Sequence, residues 1–279
     1  MKKKIEELNV LARLSELVFG DGFLHYGLWP SGLPDKPSLS ALGKAQTDFV
    51  DRLESAFPPN TKTILDVGSG TGAIAMYLSR LGYSMTCICP SATMNDLARA
   101  KLPNGTAVYT TKFEAFEHEE MFDICIFAES FHYIDLQTAL SKSAHLAKRG
   151  VVIFDYFRRA PKEAKATEQG TRGTHADFLA ALEQQNAFRV VQDNDLTASI
   201  APTFLLLDHL QANHVAPLLS DIRAQMKARA PIRAWLAEKF LGRQLDKLGR
   251  KKNRASKFAD TFEYRLITLE KIVADRTTP

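Results

Sequence analysis

Cysteine is scarce in this chain, with Cys87, Cys89 and Cys125 the only three in 279 residues. None has the paired spacing of a zinc knuckle, and Cys87 and Cys89 fall on one side of a strand, so neither a bound metal nor a disulfide framework is expected. Free thiols of this kind suit a cytoplasmic protein. Long apolar runs are also missing, so no segment reads as a membrane-spanning helix. The stretch Met1-Lys2-Lys3-Lys4-Ile5-Glu6-Glu7 has no apolar core behind its lysines and is not expected to act as a signal peptide. Internal repeats and low-complexity tracts are absent. Acids are nearly absent from one region. Residues 223–257 hold twelve Lys and Arg but only two acids, about +10 in a chain of net charge +4, which leaves about −6 elsewhere. A uniformly basic nucleic-acid binder is thereby excluded.

What is present is enough apolar material, 45% of residues, for one large domain or a domain with a substantial insertion. The chain is organised around Thr63-Ile64-Leu65-Asp66-Val67-Gly68-Ser69-Gly70-Thr71-Gly72. Ile64, Leu65 and Val67 read as a short buried strand. Three alternate glycines follow, and Ala73 to Leu81 reads as a helix ending at Gly82. Such a turn lets backbone approach a ligand closely and aims a helix N-terminus at it. Three readings of the loop are open: a dinucleotide site, since Gly68, Gly70 and Ala73 satisfy G-x-G-x-x-A; an S-adenosylmethionine (SAM) site; or a glycine turn without a ligand.

Asp66, Gly68, Gly70 and Gly72 match all four positions of D-x-G-x-G-x-G, and the chain resembles the class I SAM-dependent methyltransferases. The resemblance implies that the loop passes under the methionine and ribose of SAM, with Asp66 anchoring the amino acid end. It also implies a doubly wound α/β fold, with a seven-stranded sheet whose last strand is antiparallel. N-terminal helices and a helical lid insertion before the last strand complete the expected plan. The expected division is 1–58 as an N-terminal helical lid, 59–201 with 259–279 as the core, and 202–258 as a basic helical insertion. Where most of the family has an acid for the ribose hydroxyls, this chain has Cys89, a poor acceptor. The departure argues against NAD, which wants a carboxylate there. Lys112 stands where relatives carry an Asp for adenine, leaving Phe113 to stack on the base.

Two further runs narrow the resemblance. Phe23-Leu24-His25-Tyr26-Gly27-Leu28-Trp29-Pro30 is similar to the H-x-G-x-W segment of methyltransferases acting on sterols, tocopherols and the sugar of rebeccamycin. There the segment closes over SAM and acceptor, which makes His25, Tyr26 and Trp29 lid residues. The other reading is an N-terminal helix with a hydrophobic staple. Glu129-Ser130-Phe131-His132-Tyr133-Ile134-Asp135, an E-S-x-H-x-x-D run, resembles the segment after the fourth strand in the rebeccamycin group. By that resemblance Glu129 lies near the SAM amino acid, while His132 and Asp155 face the acceptor hydroxyl, with Tyr133 beside them. A capping or core histidine is the alternative. The cyclopropane synthases share the overall plan but place a carboxylate directly before this histidine, where Phe131 stands here.

Along the rest of the chain, residues 5–19 and 40–57 read as helices, 83–88 as the second strand, 94–102 as a helix and 108–110 as the third strand. Residues 122–127 read as a fourth strand buried on both faces, and 151–154 as the fifth. A polar loop at 158–173 precedes a capping box at Thr174-His175-Ala176-Asp177. Residues 188–191 and 262–271 read as the last two strands. The insertion reads as two or three amphipathic helices. Its basic part, 242–257, is a solvated face, or a contact for an anionic membrane, an acidic carrier protein or an anionic substrate.

Methyl transfer from a sulfonium needs the acceptor held in line, and a hydroxyl acceptor also needs its proton removed. Histidine side chains serve that task near neutral pH, and His132 with Asp155 is placed for it. The expected activity is SAM-dependent methylation of a small molecule at oxygen, with S-adenosylhomocysteine as product and no metal. The alternatives are C- or N-methylation of a lipid or isoprenoid-type acceptor at a membrane surface, or a SAM-fold scaffold without catalysis.

Overall fold

The computed structural model describes Glu6, Asn9, Ala12, Arg13, Ser15 and Glu16 and residues 22–160, 173–249 and 253–272. The six N-terminal residues are helical, as expected for 5–19. Most of the loop expected at 158–173, and part of the basic stretch at 242–257, lie outside the described residues.

The sheet has seven strands, β1 (Thr63–Val67), β2 (Ser84–Ile88), β3 (Ala107–Tyr109), β4 (Phe122–Ala128), β5 (Ala147–Arg158), β6 (Phe188–Asp195) and β7 (Phe262–Lys271). Their order is β3-β2-β1-β4-β5-β7-β6. β1 pairs in parallel with β2 and β4, and β4 with β5, while β7 runs antiparallel between β5 and β6. This is the doubly wound sheet that the sequence implies, with its last strand reversed. From β1 the chain winds first to β2 and β3, then crosses to β4 and β5. The strand order therefore reverses between β1 and β4, and a crevice opens beyond their carboxyl ends.

Alternation along the strands feeds two apolar layers. Ile64, Ile124, Ile126, Val152 and Phe154 face one; Leu65, Cys125, Phe127, Val151 and Ile153 face the other. The first is covered by α1 (Leu39–Glu54) through Phe49, Val50 and Leu53, and by α2 (Ala73–Arg80) through Ala75 and Leu78. The second is covered by α4 (Leu136–Leu146) and α5 (His175–Gln185). The caps follow the local sequence: Ser38 accepts from Ala41 N–H, and Thr174 with Asp177 forms the expected capping box. α3 (Ala92–Lys101) starts two residues before the expected 94 because Ser91 caps it by accepting from Met94 N–H.

Three expectations are corrected in extent. β5 runs from Ala147 to Arg158 rather than over 151–154 alone, because its start pairs with β4 at Phe122 and its end with β7 as far as Phe262. β6 continues to Asp195 rather than stopping at Val191, because its polar second half still pairs with β7 at the sheet edge and Asp193 accepts from Arg265 at 2.8 Å. The helical stretch before β7 begins at Thr197. It comprises α6 (Thr197–Leu210), a π-helical turn at Gln211–Val215, α7 (Ala216–Arg229), α8 (Pro231–Gly249) and α9 (Arg254–Thr261). Pro231 is the first residue of α8, where a missing N–H costs no helical bond.

Gly150 shows how tightly the antiparallel seam is built. A Cβ there would stand 2.0 Å from the Leu269 carbonyl oxygen on β7. Backbone cannot yield cheaply at that distance, so Gly150→Ala is expected to destabilise the fold by about 1–3 kcal/mol, the usual range for overpacking. Chemical denaturation of the two proteins measures it, and an unchanged midpoint would contradict the register.

Candidate active site

The glycine loop turns sharply off β1. Gly68, Gly70 and Gly72 have φ of 78°, 56° and 75°, in the left-handed region that L side chains avoid. Their reasons for being glycine differ. A Cβ on Gly68 would lie 2.4 Å from Ser130 Cβ, and one on Gly72 2.9 Å from Ala98 Cβ. A Cβ on Gly70 would meet nothing nearer than Leu24 Cδ1 at 3.7 Å. Two glycines thus permit packing, and the central one keeps open a space that the chain itself does not fill. Gly68 N–H is anchored to Ile88 O at 2.8 Å, and the Ser130 hydroxyl donates to Val67 O across the crevice.

Two carboxyls lie beside this loop, Asp66 buried and Glu129 half-buried. Asp66 is 2% exposed, its Oδ2 has no hydrogen-bond partner, and burial pushes it up to about 7. Burial likewise pushes Glu129 up to about 8, although it accepts from Tyr26 N–H at 2.9 Å and Tyr264 O–H at 2.6 Å. Glu129 adopts φ 56°, a costly conformation for a side-chain-bearing residue. It directs the carboxyl at the end of β4 toward both tyrosines. Neither donor is charged, so the pair fits a cationic ligand.

The raised Asp66 value has a consequence for stability. Below about pH 4 both folded and unfolded chains hold the proton and there is no penalty. From there to about pH 7 the unfolded chain ionises first, and stability falls by up to roughly 4 kcal/mol before levelling off. Asp66→Asn is therefore expected to raise the melting temperature of the ligand-free protein at pH 8, with a smaller gain at pH 5, while weakening SAM binding. An equal or lower melting temperature at pH 8 would show that the carboxyl is not strained by burial.

His132 sits on the single turn Phe131–Tyr133 that follows β4, and Asp155 lies near the end of β5. Asp155 is fully buried and its oxygens stand 2.8 and 3.0 Å from His132 Nδ1. It also accepts from the His132 and Tyr156 backbone N–H groups at 3.2 and 2.7 Å. A carboxylate accepts only, so Nδ1 carries the hydrogen and Nε2 carries the lone pair. Nε2 faces the Tyr156 hydroxyl at 3.1 Å. The sequence readings for His132 and Asp155 are thus brought together as one unit, with the Tyr133 ring tilted against the imidazole at 3.9 Å between centroids and half exposed.

Other expected residues take different places. His25 is 6% exposed, lies flat on Phe49 with centroids 4.3 Å apart, and is pushed down to about 4 by burial. Trp29 is buried with Leu42, Ala45 and Leu206, and its Nε1 donates to Thr203 Oγ1 at 2.8 Å. These two side chains, expected as lid residues over SAM and acceptor, instead bolt the segment 23–29 to α1 and α6. Tyr26 alone of the three meets the site, through Glu129 and through Phe204 at 4.8 Å. Phe113 is 3% exposed and packs edge-on to Phe127 in the second apolar layer. An adenine stack on that ring does not match this placement, because the turn Phe113–Ala115 directs it inward. Cys89 is buried against Met94, with sulfurs 4.0 Å apart, and burial pushes its thiol up.

Sequence reasoning missed Tyr156, Tyr264, Phe204 and Phe258. Tyr156 and Tyr264 are register partners on β5 and β7, a pairing that spans more than a hundred residues of sequence. Phe204 of α6 and Phe258 of α9 stack at 4.4 Å and roof Tyr26, Tyr156 and Tyr264. The resulting wall is aromatic on its upper side, with polar groups at Glu129, Tyr264, Tyr156 and His132.

The residues present fit SAM: an open cradle at Gly70, an orphan buried carboxyl oxygen on Asp66, and a second, half-buried carboxyl at Glu129. Among the described residues no cluster of His, Cys, Asp or Glu is arranged to hold a metal, and no helix is long and apolar enough to cross a membrane. Comparison with known proteins points the same way. Residues 65–154 match the family described as a methyltransferase domain. An uncharacterized methyltransferase of Mycobacterium tuberculosis is 26% identical over 100 residues, covering 36% of this chain and 41% of the relative. The match thus spans about two fifths of that protein.

Among solved structures, geranyl diphosphate C-methyltransferase from Streptomyces coelicolor, in complex with geranyl diphosphate, Mg2+ and S-adenosylhomocysteine, has a TM-score of 0.64 at 16% identity. The alignment covers 95% of this chain and 97% of that one. The StiE O-methyltransferase gives 0.61 at 16%, covering 92% and 88%. The cyclopropane synthase MmaA2 from Mycobacterium tuberculosis gives 0.63 at 14%, covering 95% and 93%. At these identities the likeness is one of fold. Residues 65–154 thus match a methyltransferase domain, and they lie in a sheet order and around a glycine loop similar to those of the class I SAM-dependent methyltransferases that the sequence resembles.

Proposed function

We propose that the protein methylates a hydroxyl oxygen on a small, largely apolar molecule, using SAM as donor. The observation that carries this reading is the line Asp155–His132–Tyr156, in which Nδ1 is fixed by a buried carboxylate and Nε2 faces a hydroxyl at 3.1 Å. The glycine loop, Asp66 and Glu129 would hold SAM, which supplies a methyl group on a sulfonium. His132 Nε2 takes the acceptor's proton as the oxygen–methyl bond forms and the sulfur–methyl bond breaks, its electron pair passing to sulfur. Asp155 stabilises the imidazolium, which later returns the proton to water. Tyr156 marks the position that the acceptor hydroxyl occupies. Phe204, Phe258 and Tyr26 exclude water around it and orient an apolar body.

A second reading rests on the same aromatic roof. Ring faces at Tyr26, Phe204 and Phe258 suit a cationic carbon centre, and His132 would then remove the proton that follows carbon methylation. Trideuteromethyl SAM with a panel of apolar alcohols, phenols and isoprenoid alcohols separates the two. The oxygen reading expects the label in an O–CD3 group, found by carbon NMR of the product. Label on carbon would overturn it in favour of the second.

A further inference from the structure

The α7–α8 hairpin carries a surface that the proposed chemistry does not use. Along α7, Leu218, Ile222 and Met226 are exposed at successive four-residue steps. Along α8, Ile232 is 75% exposed, Trp235 60% and Phe240 68%, with Leu236 between them. At 100° per residue these fall on one side of the helix. Large apolar side chains concentrated on one projecting element mark an interaction site.

The outward charges of the hairpin are mostly positive, with Asp221 the exception among its described residues. Arg223 meets both Glu238 at 3.5 Å and Asp246 at 2.8 Å, so two of the hairpin's acids are taken up inside it. Lys227, Arg229, Arg233 and Lys239 are exposed around the apolar strip, and Lys239 lies over the Trp235 ring at 5.0 Å. Cations flanking Trp, Phe and Ile are the composition of a helix that lies in a membrane interface, its long basic side chains reaching the headgroups. No described helix can cross a bilayer, so contact would be peripheral. A second copy of this chain fits poorly, because it would bring two clusters of like charge together.

We propose that the α7–α8 hairpin docks this protein on the surface of an anionic lipid bilayer. Trp235, Phe240 and Ile232 enter the interface, and Lys227, Arg229, Arg233 and Lys239 meet the headgroups. The hairpin is continuous with α6 and lies between it and α9, the helices that supply Phe204 and Phe258 to the site roof. Docking there would set the roof of the site beside the bilayer. The relevant surface is the start of α8 and the end of α7, N-terminal to the 242–257 stretch singled out by charge alone.

The full-length protein is mixed with vesicles of phosphatidylcholine alone and with 30 mol% phosphatidylglycerol, about that fraction being enough to give a strong surface potential. Sedimentation and tryptophan emission are read at low and high salt. Trp29 is already buried, so a blue shift reports Trp235. Association with the anionic vesicles only, a blue shift, and release by salt over a screening length of about 10 Å at 0.1 M are expected. The double variant Trp235→Ser, Phe240→Ser should bind at least about tenfold more weakly. Arg233→Glu with Lys239→Glu should weaken binding by more than about tenfold, at about fivefold per removed cation. Both variants change exposed side chains, and far-ultraviolet circular dichroism checks their folding. No association with anionic vesicles at low salt would overturn the proposal. So would equal binding to neutral vesicles, or a protein-concentration-dependent dimer or a complex with an acidic protein that protects Trp235 while vesicles do not.

Discussion

His132→Ala is expected to lower turnover about 10²- to 10⁴-fold, the usual worth of a positioned general base, with SAM affinity little changed. Asp155→Asn should approach the same loss. Both Asp155 oxygens accept, from Nδ1 and from the backbone N–H groups of His132 and Tyr156. An amide offers one oxygen and turns its NH2 toward an N–H, so the ring loses its fixed orientation. Tyr156→Phe should retain most turnover, because the acceptor hydroxyl takes the place of the phenol at Nε2. Steady-state rates of the four proteins across pH, with SAM affinity measured separately, decide the matter. Full turnover with an unchanged pH profile in His132→Ala would remove the base and favour an acceptor that needs none.

Gly70→Val and Gly68→Val are expected to fail in different ways. Gly70 has room for a Cβ within the chain, so its variant bears the left-handed backbone cost of about 1–2 kcal/mol and keeps the fold. Its side chain fills the cradle, and SAM affinity should fall at least about 100-fold, or about 2.7 kcal/mol. Gly68→Val adds a clash with Ser130, the residue that ties β1 to the end of β4. Its melting temperature should drop well below that of Gly70→Val. Calorimetric titration and thermal denaturation read the two effects. Unaltered SAM binding by Gly70→Val would show that the loop does not cradle the ligand.

Much of this was legible in local sequence. The strand, glycine turn and helix at 63–81 depend on neighbouring residues, and the period-two pattern of 262–271 is strong enough to place β7 within its observed bounds. His132 and Asp155 were readable because one follows the buried strand β4 and the other lies near the end of the buried strand β5, which the sheet sets beside β4. Tyr264 and Tyr156 were not readable as partners, since β7 reaches β5 only after the whole helical insertion. The N-terminal segment misled for a related reason. His25 and Trp29 look exposed in isolation, and only α1 and α6 supply the apolar floor and the Thr203 hydroxyl that bury them. Phe113 failed because a short turn decides which side of the sheet a ring enters, and turns of that length leave little periodicity to read.

The most direct measurement of the central claim is a calorimetric titration of the parent protein with SAM and with S-adenosylhomocysteine at pH 7, repeated in buffers of different ionisation enthalpy. One saturable site for each is expected, with net proton release on binding. Asp66 and Glu129 are raised to about 7 and about 8 by burial, and a cationic amino acid end would pull both carboxyls back toward their ionised forms. Binding of neither compound by a folded protein would contradict the account and leave a SAM-type fold serving as a scaffold.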